Sequence, residues 1–397
     1  MASMQNNNSS RARTYEDCFS LTQTVILSLI TVLFALAIPV SVAITPVTDF
    51  IAWLICLAFG GLIVITSRRF SRIIILAFIL FFFASYMGSA VSVASIVGIV
   101  SACGVFSALV SQARGSYIAF PMLIPAIAFA CAYALTLEIA LAVATVAIFL
   151  PSLAMGLALR FKQSRAKSIA FFAAVAALEI VGVTLLLIYL QNGYISLELI
   201  GSIADQFRII TTEMFTAAIE AASETAVSAD MLLMIDEMVL EMTNLLVGLT
   251  CASIITMGYF AQKIQHSLFE RFELESLQNE SGAPIAASVA AAIVYVAAYI
   301  CSFTTGVSSA PSFVAVAAGN ISLILLPLLL YVGFGFLIGL PKKIGFLALV
   351  VWAATFVAAY LLSSSVVDIL ALVGAFYTLL INIDVWAEEH YSKGEDQ

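Results

Sequence analysis

The sequence predicts an all-α fold, a polytopic transmembrane helical bundle, and its composition is the first reason. Apolar residues make up 63% of the 397 residues and charged residues only 10%, with a mean hydropathy of +1.11. A soluble fold of this size needs far more polar surface. Apolar stretches of about 20 residues, the length that crosses a bilayer, recur from Thr22 to Trp386. They are continuously apolar, as from Ile73 to Phe83, which favours helices over the alternating strands of a closed barrel.

The apolar stretches predict about 10 to 12 spans separated by short polar turns. Candidate spans lie at residues 22–45, 50–66, 71–88, 90–110, 117–135, 138–160, 168–190, 240–262, 284–304, 313–340, 344–363 and 366–386. This division predicts a disordered cytoplasmic tail at 1–20, a transmembrane bundle at 21–190, an acidic segment outside the membrane at 191–239, a second transmembrane bundle at 240–386 and a cytoplasmic tail at 387–397.

The positive charges orient these spans, because short cytoplasmic loops retain Lys and Arg. Clusters of basic residues fall at 68–72, 160–167 and 342–343, all in loops that the division assigns to one side. Of the 16 Lys and Arg residues, Arg208 alone falls in a segment assigned to the outer side. We therefore expect a multi-pass protein of a bacterial plasma membrane, with both termini in the cytoplasm.

The segment at 191–239 is long enough to form an amphipathic helical hairpin outside the membrane. Its apolar residues recur at intervals of three and four, as on one face of a helix; they are Ile200, Ile203, Phe207, Ile210 and Met214. Four of its acidic residues follow one another at intervals of eight, seven and four and are Asp205, Glu213, Glu220 and Glu224. The pattern then breaks near Ser228, so we expect a second helix from there.

A stripe of methionines runs along that second helix and leads toward the next span. It consists of Met231, Met234, Met238 and Met242, at intervals of three, four and four. Methionine side chains pack softly and adapt to irregular partners. The stripe is either a docking face for a flexible partner or an apolar ligand, or the face that packs on the preceding helix.

Glu179 is the acidic residue that we predict near the middle of the membrane, in the stretch Ser168–Leu190. An ionised carboxylate at that depth costs about 2.5 to 3.5 kcal/mol on insertion scales. An acidic residue there therefore usually has a functional or structural role. Proton uptake for coupled transport, a cationic substrate, or a hydrogen bond to a neighbouring helix would each account for Glu179.

Asn320 is a second candidate, predicted inside a span beside Gly319 and ahead of Pro327. That combination allows close helix approach and a local break. In lipid the Asn320 carboxamide needs a partner, which is either a substrate or a neighbouring helix. Gly335 and Gly339 form a GxxxG spacing, which we interpret as a helix-packing face.

The sequence predicts neither an enzyme nor a resident cofactor. His266 and His390 lie outside the predicted spans and belong to no HExxH motif, which argues against an intramembrane zinc protease. The chain has no GxSxG, no Walker lysine motif and no paired acidic run of the kind that binds Mg²⁺. Its six cysteines are scattered singly without a CxxC, so we expect neither disulfides nor a metal site.

The order of parts over roughly residues 117–386 resembles the YybS-like family of uncharacterised bacterial membrane proteins. An acidic amphipathic segment (ELIGSIADQFRIITTEMF) precedes a span that ends in a short basic stretch (NLLVGLTCASIITMGYFAQKIQHSLFERFE). A hairpin containing GNISLILLPLLLYVGFGF and a last span containing LALVGAFYTLLINID follow. The chain departs from the family in its additional N-terminal spans and in the Val-Trp-Ala-Glu-Glu that follows Asp384.

That family is similar in architecture to the substrate-binding components of energy-coupling-factor transporters, which capture vitamins and borrow an ATPase. The resemblance therefore implies a partner protein in the membrane or an energising module. Our leading hypothesis is a transporter-like or substrate-binding protein with a cavity near Glu179 and Asn320. The alternative is a non-transporting scaffold or interaction protein of the cell envelope. The lipid bilayer and an unidentified small molecule are the expected partners, and nucleic acid is not.

Overall fold

The computed structural model describes residues 19–42, 54, 58, 90–112, 119–223, 228–274, 287–305, 313–345, 347–361 and 366–392. All regular structure in these residues is helical, which confirms the predicted fold class at that level. The predicted spans at 50–66 and 71–88 lie outside the described residues except for Leu54 and Ala58. The N-terminal tail before Phe19 and the last residues of the C-terminal tail lie outside them as well.

The chain forms two compact units, and each is assembled from two separate stretches of sequence. Unit 1 comprises Met1–Ala176 and Met257–Pro284, and unit 2 comprises Ala177–Thr256 and Ile285–Gln397. Two of the three boundaries, after Ala176 and after Thr256, fall within long helices, so the units share two helices that begin in one and end in the other.

The helices have the following bounds. Unit 1 contains α1 (Leu21–Ala35), α2 (Ala37–Val42), α3 (Ala90–Gln112), α4 (Ala119–Thr136), α5 (Ile139–Ala147) and α6 (Phe149–Arg160). The two shared helices are α7 (Arg165–Asn192) and α10 (Leu246–Arg271). Unit 2 contains α8 (Leu197–Ser223), α9 (Ala229–Asn244), α11 (Val289–Thr305), α12 (Phe313–Ile344), α13 (Leu347–Leu361) and α14 (Val366–Ser392).

Serine side chains fix the start of two of these helices. The Ser20 Oγ accepts a hydrogen bond from the Gln23 N–H at 3.3 Å, and the Gln23 side chain accepts from the Ser20 N–H at 2.8 Å. This reciprocal capping box satisfies two N–H groups that the first turn leaves unpaired. At α9 the Ser228 Oγ alone forms the cap by accepting from the Met231 N–H, and this helix start confirms the predicted break near Ser228.

Aromatic packing and one glycine hold the core of unit 1 together. Phe106 packs edge to face on Phe149, with ring centroids 4.8 Å apart. A Cβ added at Gly156 would lie 2.8 Å from the Ser107 carbonyl oxygen, so α6 approaches α3 more closely than any larger residue allows. The fully buried Phe269, from the last turns of α10, completes this core.

Two facing glycines form a close helix crossing in unit 2. A Cβ added at Gly333 of α12 would overlap the Leu370 carbonyl oxygen, and a Cβ added at Gly374 of α14 would overlap the Leu329 carbonyl oxygen. The two backbones therefore touch directly, and dispersion contacts extend along both helices. The crossing joins the two stretches GNISLILLPLLLYVGFGF and LALVGAFYTLLINID.

The packing interpretation of Gly335 and Gly339 was wrong, because neither faces a neighbour. A Cβ added at either position meets no atom of the described residues within 4 Å. Two residues along a helix correspond to a rotation of about 200°, so Gly335 lies on the opposite face from Gly333. The crossing uses Gly333, two positions before the predicted motif.

Within the described residues, four helical stretches are long and apolar enough to cross a membrane; they are Leu21–Pro39, Ile139–Arg160, Arg165–Leu186 and Phe313–Leu337. The pair α9 and α10 passes the same test when counted as one span, although it bends by 66° at its break. The shorter apolar helices are Val97–Gln112, Pro121–Thr136, Val289–Ser302 and Val366–Asn382. These four or five helices indicate a membrane protein, and they do not reach the predicted 10 to 12 spans.

We expect Gly333→Ala to destabilise the protein in detergent by about 1 to 3 kcal/mol, the usual cost of overpacking a tight contact. Gly335→Ala is the matched control on the same helix. It should be neutral or stabilising by up to about 1 kcal/mol, because alanine is a better helix former than glycine. Thermal unfolding followed by circular dichroism measures both. Equal melting temperatures for the two variants would contradict the crossing.

Candidate functional site

The helix pair α9 and α10 is interrupted at Leu245, and Asn320 of α12 fills the interruption. In a continuous helix the Gly248 N–H would donate to the Asn244 carbonyl oxygen. Here the Gly248 N–H donates to Oδ1 of Asn320 at 2.5 Å, and Nδ2 of Asn320 donates to the Asn244 carbonyl oxygen at 2.9 Å. A side-chain carboxamide thus takes the place of one main-chain hydrogen bond.

The Asn320 side chain is held tightly in this position. Its second Nδ2 proton donates to the Val316 carbonyl oxygen at 2.8 Å, so both donors of the carboxamide are used. Gly248 makes the approach possible, because a Cβ there would lie 2.8 Å from the Asn320 Cα. The structure therefore places Asn320 as a link between helices, and its role toward a substrate stays a prediction.

Glu179 occupies a half-buried position on α7, within the span Arg165–Leu186. Its neighbours Leu178 and Val181 are 72% and 55% exposed, so this part of α7 turns mostly away from protein. Among the described residues, no hydrogen bond or ion pair of the Glu179 carboxyl is present. No described interaction joins Glu179 to Asn320. The Nδ2 group of Asn320 donates to two main-chain carbonyls instead.

The predicted methionines lie mostly on the exposed side of α9. The exposed fractions are 40% for Met231, 70% for Met234 and 41% for Met238, whereas Met242 is half-buried. The buried residues of α9 are Ile235 and Val239, which lie on the packing face of the helix. The methionine stripe is therefore largely separate from the surface through which α9 packs.

The helices α8 and α9 pack on each other as a hairpin, and an ion pair links them. The Arg208 guanidinium donates to the Asp236 carboxylate through Nη2 at 2.6 Å and through Nε at 3.1 Å. The hydrogen bonds and the negative charge of Asp236 raise the pKa of Arg208 above its ordinary value. Both side chains are partly exposed to solvent, so the pair fixes the register of the hairpin more than it stabilises the fold.

Unit 1 contains a group of buried polar side chains that the sequence analysis missed, and we call it the buried polar cluster. It consists of the buried Arg165, at the start of α7, and the buried Gln262 and Gln265 on α10, with the half-buried Tyr259 and His266 of α10. Arg165 is only 4% exposed, and Gln262 and Gln265 are completely buried. The Arg165 guanidinium lies 5.2 Å from the centroid of the Tyr259 ring, a cation–π contact.

The hydrogen-bonding capacity of Gln265 is not met by the described part of the protein. Its Oε1 and Nε2 are both buried without a partner there, and the same holds for Gln112 at the end of α3. A buried amide without a hydrogen bond costs about 1 to 3 kcal/mol by mutational measurements. Two such carboxamides in one compact unit therefore call for polar partners beyond these protein atoms.

Charged groups surround the same part of α10. Lys263, Glu270 and Arg165 all act electrostatically on His266. Sequence reasoning assigned Arg165 to a cytoplasmic loop and the stretch AQKIQHSLFER to a basic membrane border, so burial was not expected there. The spacing of Tyr259, Gln262 and His266 at three and four was the available signal, because it places them on one helix face.

The fold defines the chain as an all-helical protein with helices suited to crossing a membrane. No protein-family model, no curated protein and no solved structure matches it. The resemblance to the YybS-like family therefore stays a prediction that depends on the order of parts.

We expect Asn320→Ala to lower the melting temperature and to change the bend between α9 and α10. The substitution removes the groups that pair with Asn244 and Gly248, and those two main-chain groups then bond to each other in a straighter helix. The bend is measured by the distance between spin labels at Met234→Cys and Ser253→Cys in a background without other cysteines.

Ser322→Ala is the matched control, because the Ser322 hydroxyl donates only to the Gly319 carbonyl oxygen within its own helix. It should leave both the melting temperature and the label distance unchanged. An Asn320→Ala protein with an unaltered label distance and melting temperature would show that the carboxamide does not hold the break open.

Proposed function

We propose that this chain is a multi-pass plasma-membrane protein that binds a small polar solute, as a transporter-like or substrate-binding component. The observation that supports this is the complete burial of Gln265, whose carboxamide atoms have no partner among the described residues, in the same unit as the buried Arg165. Polar side chains buried in so apolar a chain are costly, and they usually mark a ligand or ion pathway. Concave sites with a few convergent polar groups are the ordinary form of a solute site.

The proposed site differs from the one that the sequence suggested. Glu179 lies on a largely exposed stretch of α7 and has no hydrogen bond among the described residues. Both donors of the Asn320 carboxamide bond to main-chain carbonyls. Gln265, in contrast, is completely buried, and both polar atoms of its carboxamide lack a partner among the described residues. A role in binding rather than in catalysis fits side chains that hold and orient a solute.

The proposal extends to topology, with 10 to 12 spans, an acidic hairpin outside the cell and both termini in the cytoplasm. The asymmetric distribution of Lys and Arg supports it. Arg208, the exception on the outer side, is neutralised by Asp236 within the hairpin. As in energy-coupling-factor systems, an energising partner would complete transport, since the chain carries no nucleotide-binding motif.

The solute proposal predicts a ligand-dependent gain in stability that the buried polar cluster controls. The purified protein would be melted in detergent against a panel of vitamins, metabolites and cations, since a ligand at 100 times its Kd adds about 2.7 kcal/mol. We expect Gln265→Leu to abolish that gain and Glu179→Gln to retain it. A gain lost in Glu179→Gln and kept in Gln265→Leu would move the site to α7, and no gain with any compound would refute solute binding.

A scaffold or interaction protein is the second candidate, and the exposed methionines of α9 favour it. Met234, with 70% of its surface exposed, shares its helix face with Asp230, Glu237 and Glu241. Carboxylates on that face indicate that it meets water rather than lipid tails. An exposed apolar stripe in water is typical of a contact surface.

One labelling experiment tests both the topology and this second candidate. In a background without other cysteines, Met234→Cys and Asp205→Cys should react with a membrane-impermeant maleimide on intact cells, whereas Lys263→Cys should react only after permeabilisation. The opposite pattern would reverse the orientation. Protection of Met234→Cys in cells but not in the purified protein, with Asp205→Cys labelled in both, would favour the scaffold.

A further inference from the structure

We infer that helix α9 is a docking surface for a basic amphipathic helix of another protein. This inference goes beyond solute binding and rests on the second candidate, the interaction protein, for which it names the kind of partner. The surface combines an exposed methionine with exposed carboxylates on one side of the helix. It consists of Asp230, Met234, Glu237 and Glu241, and we call it the acidic methionine face.

The acidic methionine face lies away from the surface through which α9 is packed. Its residues follow one another at intervals of four, three and four, which keeps them in one stripe of the helix. The buried residues Ile235 and Val239 lie on the opposite side of the helix. The stripe is therefore exposed over a length of roughly 16 Å, from the rise per residue of an α-helix.

The hairpin of α8 and α9 carries the net charge of the whole chain. Residues 191–244 contain nine acidic residues, and Arg208, their one basic residue, is already paired with Asp236. The other parts of the sequence contain fifteen acidic and fifteen basic residues, so the formal net charge of −8 arises in this segment. A positively charged partner is attracted to the hairpin, whereas a second hairpin or an anionic lipid surface is repelled.

The carboxylates are spread along the helices rather than gathered at one point. Among the residues with described positions, no group of three or more His, Cys, Asp or Glu side chains could hold a metal ion. On α8 the exposed acidic residues follow at intervals of seven, eight and seven and form a second stripe; they are Glu198, Asp205, Glu213 and Glu220. Carboxylates in such stripes complement positive charges that are themselves spaced along a helix.

Met234 adds an apolar contact within the charged stripe of α9. Its side chain is 70% exposed, and Asp230 and Glu237 flank it at four residues before and three residues after. This order of groups complements a helix in which an apolar residue lies between basic ones, and the flexible thioether adapts to the shape of the partner. The regular structure described in the hairpin is helical, so it offers side chains to a partner rather than a strand edge.

A labelled peptide tests the inference on the full-length protein in phosphatidylcholine nanodiscs. The probe is an amphipathic helix of leucine and lysine with about 18 residues, or five turns. Its binding is followed by fluorescence anisotropy, with empty nanodiscs as the blank. One control peptide has glutamate in place of each lysine, and another has the same composition in an order that forms no apolar face. We expect saturable binding of the basic amphipathic peptide, weakened by salt, and little binding of either control.

Met234→Ser should weaken the binding of the basic peptide by about tenfold, because it removes the central apolar contact. Met214→Ser is the matched control on α8. The Met214 side chain is 68% exposed, almost as much as that of Met234, and no residue three or four positions away from it is charged. This control should bind like the unchanged protein. Both side chains lie at the surface, so neither substitution should unfold the protein.

Two triple variants test the charges. One neutralises the acidic methionine face and combines Asp230→Asn, Glu237→Gln and Glu241→Gln. The other removes the same charge from α8 and combines Asp205→Asn, Glu213→Gln and Glu220→Gln. We expect the α9 variant to weaken binding by about tenfold or more and to speed dissociation. The α8 variant should slow association and leave the dissociation rate unchanged, because distant charges act mainly on the encounter.

Binding that is lost in Met234→Ser and in the α9 triple variant, and kept in Met214→Ser, supports the docking surface. Full binding in Met234→Ser, or equal weakening by Met234→Ser and Met214→Ser, overturns it. Equal binding of the basic peptide and either control peptide overturns it as well, and so does an absence of saturable binding.

Two further measurements exclude other occupants of the face. A dimer in light scattering that Met234→Ser dissociates would assign the face to a second copy of the chain. Quenching of a fluorophore on Met234→Cys by brominated lipid would assign it to the bilayer, and either result overturns the inference. Solute binding is judged separately, because Met234→Ser should retain the ligand-dependent gain in stability that Gln265→Leu abolishes. Either proposal can therefore fail while the other stands.

Discussion

An apolar surrounding offers no hydrogen bonds, so every main-chain and side-chain polar group must find its partner within the protein. The break between α9 and α10 is the place where this constraint is most visible. Opening the helix there leaves the Asn244 carbonyl and the Gly248 N–H without their main-chain partners. The Asn320 carboxamide bonds to both, because its Oδ1 accepts from the Gly248 N–H and its Nδ2 donates to the Asn244 carbonyl. The position of α12 in unit 2 follows from that requirement.

The rest of unit 2 is arranged around α12. At one end the helix is attached to the break through Asn320, and further along it crosses α14 at Gly333 and Gly374. Both contacts need glycine, because backbone atoms approach where a side chain would otherwise stand. Hydrophobic burial cannot select one helix pair over another in lipid, so close approach and hydrogen bonding decide which helices associate.

Unit 1 follows the same rule in a different way. Its core around Phe106 and Phe149 is apolar and closely packed. The apolar side chains of this core need no hydrogen-bond partners. At the cytoplasmic ends that the basic residues predict, Gln265 and Arg165 are buried where sequence reasoning expected solvent. The contrast between these two regions is the reason to seek a ligand in the second.

Local features of the fold could be predicted from the sequence, since apolar length predicts helices and the change of pattern near Ser228 predicts the break at which α9 begins. The helical stretch Ile139–Arg160, formed by α5 and α6, coincides for example with a predicted span at 138–160. Contacts between distant segments could not be predicted in this way. Nothing in the sequence near Asn320 indicates Gly248 as its partner, and the positive-inside rule assigns Arg165 to a side of the membrane without telling whether it is buried.

The helix break also sets an order of events during biosynthesis. Asn320 follows Gly248 by 72 positions, so α9 and α10 leave the ribosome well before the residue that separates them. At about 5 to 20 residues per second this interval lasts roughly 4 to 14 seconds. During that time the Asn320 carboxamide does not yet exist, so a straight helix is the arrangement that pairs the Asn244 carbonyl with the Gly248 N–H. The bend is therefore acquired late, when α12 arrives in the membrane beside a helix that is already inserted.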